Sequence, residues 1–357
     1  MLIVVVSLLL AAVVGFASHR ASLCTVRAVG EVMSARSGYL LQSFGKAVLW
    51  ASLVAGTLLI WVAVPAPATL TRVPIGFALA GGFVFGVGAA INGGCSFSTL
   101  QRLAEGDLSM LVTLFAFGVG VLSWGAVQAH WSVTQLVPVV SQWTRWPATA
   151  KWLLGGLWVW AIWELVSLAR PLRSRSLRER LLAPTYRLST AAAMLGIAAG
   201  ALYAADGAWT YTNFLRAEIS VVYGGAAPSG LHAMLVIALL AGMLLSARER
   251  DSFALRSWRQ GGNVHRRFAG GWLMGVGGAL VPGGNDTLLL GAMPSLSMQA
   301  VGAYAALLAG IAATLAVMAQ MRLPMGTVRC GDDECIEVPH GVPAGQGASA
   351  GNVVTAR

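Results

Sequence analysis

Cys95 stands after Gly93-Gly94 in one apolar stretch, and Asn285 and Asp286 stand after Gly283-Gly284 in a second, about 190 positions further on. In the first, Asn92-Gly93-Gly94-Cys95 leads into Ser96, Ser98 and Thr99. Two glycines let the backbone turn, and the hydroxyls, the thiol and freed N–H groups can then face a ligand. Where such a turn opens a half-helix, the positive end of the helix dipole attracts an anion. The plainer alternative is a small buried cysteine filling a helix contact. Cys24 lies in Ser22-Leu23-Cys24-Thr25-Val26-Arg27, with His19, Arg20 and Arg27 around it. That setting favours a thiolate or a bound anion; the alternative is an ordinary loop cysteine among membrane-flanking arginines.

Other reactive residues carry weaker signals. Cys330 and Cys335, in an acidic tail, could bind metal or form a disulfide, but cytoplasmic placement argues against a standing bridge and favours an incidental pair. Glu164 is within two turns of Arg170, which predicts snorkelling or pairing there rather than a proton relay. His130, His232, His265 and His340 are scattered, so neither a metal cluster nor a cofactor motif is readable. Asn285-Asp286-Thr287 matches a glycosylation sequon only by chance at membrane depth.

The elements that must position these groups follow from composition. With 57% hydrophobic and 11% charged residues over 357 positions, the chain belongs in a membrane. The formal charge of +10 comes from arginines between apolar runs. It reads as a topological signal and excludes a nucleic-acid partner. The apolar Leu2 to Phe16 lacks a positive region before it, which predicts a first membrane helix rather than a cleaved signal. Nine apolar helices are expected at roughly 2–17, 46–65, 74–91, 108–128, 152–169, 189–205, 229–247, 268–281 and 295–321. The fold class is therefore an all-α polytopic membrane protein with re-entrant segments. Arg170, Arg173, Arg175, Arg178, Arg180 and Arg187 form one basic loop. Arg248, Arg250, Arg256, Arg259, Arg266 and Arg267 form another. The positive-inside rule puts both loops in the cytoplasm, the N-terminus outside and the C-terminus inside.

The chain repeats itself. Leu53–Leu59 echoes Leu239–Leu245 at an offset of 186, Gly86-Val87-Gly88 echoes Gly275-Val276-Gly277 at 189, and Gly93-Gly94 echoes Gly283-Gly284 at 190. An offset of five helices inverts the second copy, and matched breaks in two inverted halves point to a substrate site between them. The expected division is a first half over 1–128, a connector over 129–188, a second half over 189–322 and a mobile cytoplasmic tail over 323–357. The 28 residues between the first two helices leave room for a short re-entrant element at Cys24, whose repeat mate is Trp209–Asn213.

At Ser22–Ala28, Asn92–Cys95 and Pro282–Thr287 the chain resembles the YeeE/YedE family of bacterial inner-membrane sulfur transporters, over about residues 1–322. The resemblance implies nine membrane helices plus re-entrant helices, an hourglass shape and thiosulfate uptake. It also implies a line of three cysteines passing the anion along through S–H hydrogen bonds. Cys24 and Cys95 match two of them; the third position is Asn285 here, whose amide can also donate to an anion. Family members often work beside a small cytoplasmic sulfur-carrier protein of the TusA type. The competing readings are a membrane thiol–disulfide oxidoreductase, which needs closely paired cysteines where the sequence keeps Cys24 and Cys95 apart at membrane depth, and an assembly factor without transport. Reporter fusions at Arg175 and Pro67 should report opposite sides of the membrane; the same side for both contradicts the topology and the inversion.

Overall fold

Hydrocarbon offers no partner for a backbone N–H or C=O, so apolar runs of this length must satisfy their hydrogen bonds internally as helices. The computed structural model describes residues 2–62, 70–131, 137–139, 141–145, 147–169, 186–257, 264–281, 283–322, 327–330 and 335–338. The long helices are α1 (Leu2–Arg20), α3 (Tyr39–Ile60), α4 (Ile75–Asn92), α6 (Met110–Trp131), α8 (Pro147–Ala169), α9 (Leu188–Asp206), α11 (Gly230–Glu249), α12 (Val264–Leu280) and α14 (Met298–Gln320). Each expected apolar run is helical. Seven helical stretches among the described residues are long and apolar enough to cross a membrane; α8 and the 17-residue α12 fall outside those seven. Large apolar side chains face outward along them, Phe115, Val159, Ile162, Trp163 and Ile237 each more than half exposed, as lipid requires. The chain is an all-α polytopic membrane protein.

Between the long helices lie shorter ones: α2 (Thr25–Ala35), α5 (Ser96–Ala104), α7 (Gln142–Arg145), α10 (Tyr211–Ser220) and α13 (Asn285–Thr287), which runs on as a π-helical turn over Leu288–Ala292. At about 1.5 Å per residue, α2, α5 and α10 reach at most about 17 Å, roughly half a bilayer core of about 30 Å. A helix of that length cannot cross, so one of its ends lies within the membrane. Two small β pairs, Leu70–Arg72 with Val137–Val139 and Thr327–Cys330 with Cys335–Val338, complete the described chain.

The packing repeats itself under exchange of the two halves. α1 packs on α11 as α3 packs on α9; α4 packs on α14 as α12 packs on α6. Two pairs, α1 with α9 and α4 with α12, are each their own counterpart. The Gly-Val-Gly motifs work here, inside α4 and α12 rather than in the breaks. A Cβ on Gly88 would lie 2.7 Å from the Gly270 carbonyl oxygen, and one on Gly270 would lie 2.7 Å from that of Gly88. Small residues let membrane helices approach to backbone contact.

Several expectations are corrected. Glu164 is buried and pairs with Lys46 of α3 at 2.6 Å; its expected partner Arg170 lies outside the described residues. Arg266 and Arg267 belong to α12, not to a loop, and Arg267 donates to the Asn92 carbonyl. Separately, the strand pair within 323–357 sets Cys330 opposite Cys335. Arg173, Arg175, Arg178, Arg180, Arg259, Pro282 and His340 lie outside the described residues.

Overpacking a helix contact costs about 1–3 kcal/mol. Gly88→Val should therefore lower the melting temperature of the detergent-purified protein, whereas Gly155→Val, whose new Cβ meets nothing within 4 Å, should not. Equal melting of the two variants would contradict the packing described.

Candidate anion site at four helix N-termini

The first N–H groups of any helix lack intrahelical partners. Here four such ends converge in the protein interior. Cys24 is the N-cap of α2, Cys95 of α5, Thr210 of α10 and Gly284 of α13. The turns into α5 and α13 depend on backbone angles that suit glycine: φ is +74° at Gly93 and +132° at Gly283. Gly93 ends α4 with its N–H on Ala90, while Gly94 reaches Ala89 and Gly283 reaches Gly278, in each case five residues back. That correspondence is an offset of 189 rather than 190. Gly284 thus stands where Cys95 stands, and Asn285 matches Ser96.

Asn285, fully buried, joins three of the ends. Its Oδ1 accepts from Ser96 of α5, and its Nδ2 donates to Thr25 Oγ1 of α2 at 3.0 Å. One Nδ2 hydrogen remains. Asp286, 1% exposed, faces the fourth end. Its carboxylate accepts from the Thr212 N–H at 3.2 Å and from the Thr212 hydroxyl, which in turn accepts from the Gly284 N–H at 2.8 Å. Thr210 and Thr287 close the set at 2.6 Å. The acid thus reaches both α10 and the start of α5, where the Ser96 hydroxyl lies 3.3 Å from its Oδ1, and the neutral amide lies against the two cysteine-capped helices.

The thiols meet. Cys24 and Cys95 are within hydrogen-bonding reach of each other and both are buried. The Cys24 sulfur faces the N–H groups of Arg27 and Cys95; the Cys95 sulfur faces those of Ser98 and Thr25. Each thiol thus stands over the third residue of its own helix and one residue at the start of the other. Arg27 adds positive charge beside Cys24. The expectation that membrane-depth cysteines stay apart is overturned.

Of the electropositive neighbours expected at Cys24, His19 and Arg20 turn away. Arg20 is buried against Glu249 and stacks on Phe16 and Tyr186, with its guanidinium 4.8 and 5.6 Å from the ring centroids. His19 spans Ser246 at 2.9 Å and Glu105 at 3.3 Å. Burial pushes the Glu105 carboxyl up, but the His19 hydrogen bond and the charges of His19, Arg250 and Arg102 outweigh it and hold the group below its ordinary value. These pairs tie α1, α11 and the end of α5 together at one end of the molecule.

At the first break Asn92 donates to Gly94 O at 3.0 Å and Thr99 at 3.2 Å, and accepts from Thr113 at 2.9 Å. Two small crevices border the junction, one reaching Ser96, Thr99 and Tyr211, the other Thr210, Tyr211 and Asp286. Among the described residues no three His, Cys, Asp or Glu side chains form a metal-sized group. Thr25 and Thr212 escaped the sequence reading as site residues, although each sits in a stretch it marked. Their signal is a threonine at or next to the first position of a helix that starts at membrane depth. Tyr304 of α14 was missed altogether; its signal is a lone phenol in an apolar helix, which needs a partner for its O–H.

Half-helices whose N-termini meet inside a bundle of apolar spans define a membrane transport protein. A family model described as sulphur transport matches residues 20–313, and the chain belongs to that sulphur-transport family, YeeE/YedE. No curated protein matches the chain's sequence. It is a multi-pass membrane protein of sulfur transport.

Leaving a buried acceptor unsatisfied costs about 1–3 kcal/mol. Thr212→Val strips Asp286 of a hydroxyl donor and the Gly284 N–H of its acceptor, and should lower the melting temperature of the purified protein by several degrees; Thr212→Ser should not. Equal stability of the Val and Ser variants would contradict the role of this hydroxyl.

Proposed function

We propose that the protein imports thiosulfate across the bacterial inner membrane, passing the dianion through the junction lined by Cys24, Cys95 and Asn285. What carries the reading is the convergence of two thiols and a spare amide hydrogen with the N-termini of α2 and α5. A desolvated anion needs donors on every side, and an isolated charge without them is excluded from such an interior. S–H groups are weak donors suited to the polarisable terminal sulfur of thiosulfate. A weak hold also lets the anion leave again. Gly93, Gly94, Gly283 and Gly284 shape the two turns, and Asp286 anchors α10 rather than the anion.

The remaining parts of the proposal follow from topology. The two halves, over 1–128 and 189–322, are an inverted repeat of four crossings each, joined by the connector over 129–188, which holds the ninth. The N-terminus faces out and the tail over 323–357 faces the cytoplasm, where a sulfur carrier of the TusA type would receive the sulfur. The clustering of the ends of α1, α5 and α11, all assigned to the cytoplasmic side, supports that orientation.

The nearness of Cys24 to Cys95 favours one second reading, a thiol–disulfide oxidoreductase. Serine separates the two, because its hydroxyl donates a hydrogen bond and cannot form a disulfide. Cells lacking their own carriers should take up labelled thiosulfate when they make this protein. Cys95→Ala should abolish that uptake at normal membrane abundance, and Cys24→Ala should reduce it more mildly. Cys95→Ser should retain part of it, Asn285→Cys should retain it, and Asn285→Leu should abolish it. Full uptake by Cys95→Ala or Asn285→Leu would remove those groups from the path, and equal loss in Cys95→Ser and Cys95→Ala would favour the redox reading.

A further inference from the structure

A buried hydroxyl on the cysteine side of the junction is left without a hydrogen bond. Tyr304 lies in the second turn of α14, which packs along α4 and against α2. It is 7% exposed, and its Oη is completely enclosed with no hydrogen-bonding partner. The Oη stands beside Thr25 and within electrostatic reach of Cys24 and Cys95. Thr25 Oγ1 accepts from the Asn285 amide and stands outside hydrogen-bond geometry with the Oη, and the sulfurs are poor acceptors.

A buried O–H left without a hydrogen bond is unfavourable, and phenylalanine would fill the same space without that cost. The other hydroxyls of the junction are engaged: Ser96 with Asn285, Thr210 with Thr287, and Thr212 with Asp286. A lone unsatisfied phenol among satisfied neighbours marks a donor held for something that comes and goes.

We infer that the Tyr304 hydroxyl is a substrate-binding and specificity-determining group, donating to an oxygen of the anion while Cys24 and Cys95 face its sulfur. The inference rests on the proposed transport of a sulfur oxyanion and adds a division of labour to it. O–H is a stronger donor to a sulfonate-type oxygen than S–H, and two thiols are better matched to a polarisable sulfur. Thiosulfate offers both ends at once; sulfate offers oxygen alone. Removing the phenol oxygen should thus weaken binding without disturbing the fold, because no internal hydrogen bond is lost.

The test compares wild type and Tyr304→Phe as full-length protein. Each is assayed for uptake of labelled thiosulfate in cells and, after purification, for melting with and without sodium thiosulfate. The inference expects a KM for thiosulfate raised about tenfold, equal membrane abundance, and a melting temperature without substrate equal to wild type or higher. The rise in melting temperature on adding thiosulfate should shrink. Unchanged KM and an unchanged thiosulfate-induced shift would overturn the inference and leave the transport reading standing. A variant that melts lower or fails to accumulate would also overturn it, since the hydroxyl would then be structural. Absence of thiosulfate uptake by wild type itself would overturn the transport reading and this inference together.

Discussion

Helices that begin in the middle of a membrane protein expose backbone N–H groups where no water can reach them. α2, α5, α10 and α13 all do this, and their four ends meet. Everything near the centre is arranged around that need. Asn285 ties together the ends of α2 and α5, Asp286 and Thr212 satisfy the end of α10 and the Gly284 N–H, and two sulfurs stand over the rest. A thiol is a poor substitute for the serine or aspartate that ordinarily caps a helix. The α2 and α5 ends are consequently the under-satisfied ones. The Asp286 carboxylate reaches the α5 end through the Ser96 hydroxyl at 3.3 Å. Partial positive charge and weak donors together describe a place for an anion.

The scaffold supplies the precision. Helices α4 and α12 cross at backbone contact through Gly88 and Gly270, and the turns that follow them, at Gly93-Gly94 and Gly283-Gly284, are thereby held at one depth. Helices α1, α3, α9 and α11 brace the other flank. The ion pairs of Arg20 with Glu249 and His19 with Glu105 lock the ends of α1, α11 and α5. Arg20 and His19 are buried while their carboxylate partners are about a third exposed, so removal of either carboxylate would leave a buried basic side chain without its counter-charge. Both thiols are enclosed, so passage of an anion requires these helix ends to part and close again.

Much of this was legible in the residues. Apolar runs and glycine breaks located the long helices, the repeat, and the two cysteines, because length, hydropathy and φ > 0 are properties of single segments. The Cys24 stretch and its mate Trp209–Asn213 were recognised as room for re-entrant elements, and α2 and α10 occupy them. The register of the second break was misjudged by one residue. A dipeptide of glycines aligns equally well in two ways, and only the backbone bonds of Gly94 and Gly283 select the offset of 189. The pairing of Cys24 with Cys95 was missed because 71 positions separate them, and nothing local to either tells that their helices start face to face. Glu164 was assigned to a nearby arginine on sequence distance, whereas its partner Lys46 comes from another helix 118 positions away.

The central claim is that an anion binds where the two cysteine-capped helix ends and Asn285 meet. Selenosulfate replaces the terminal sulfur of thiosulfate with selenium, an atom whose anomalous X-ray signal can be located independently of the protein. Crystals of the full-length protein soaked in it should give one selenium peak within van der Waals contact of the Cys24 and Cys95 sulfurs, with the oxygens toward Asn285. A saturating soak that leaves this junction without selenium, or places it elsewhere in the protein, would contradict the account.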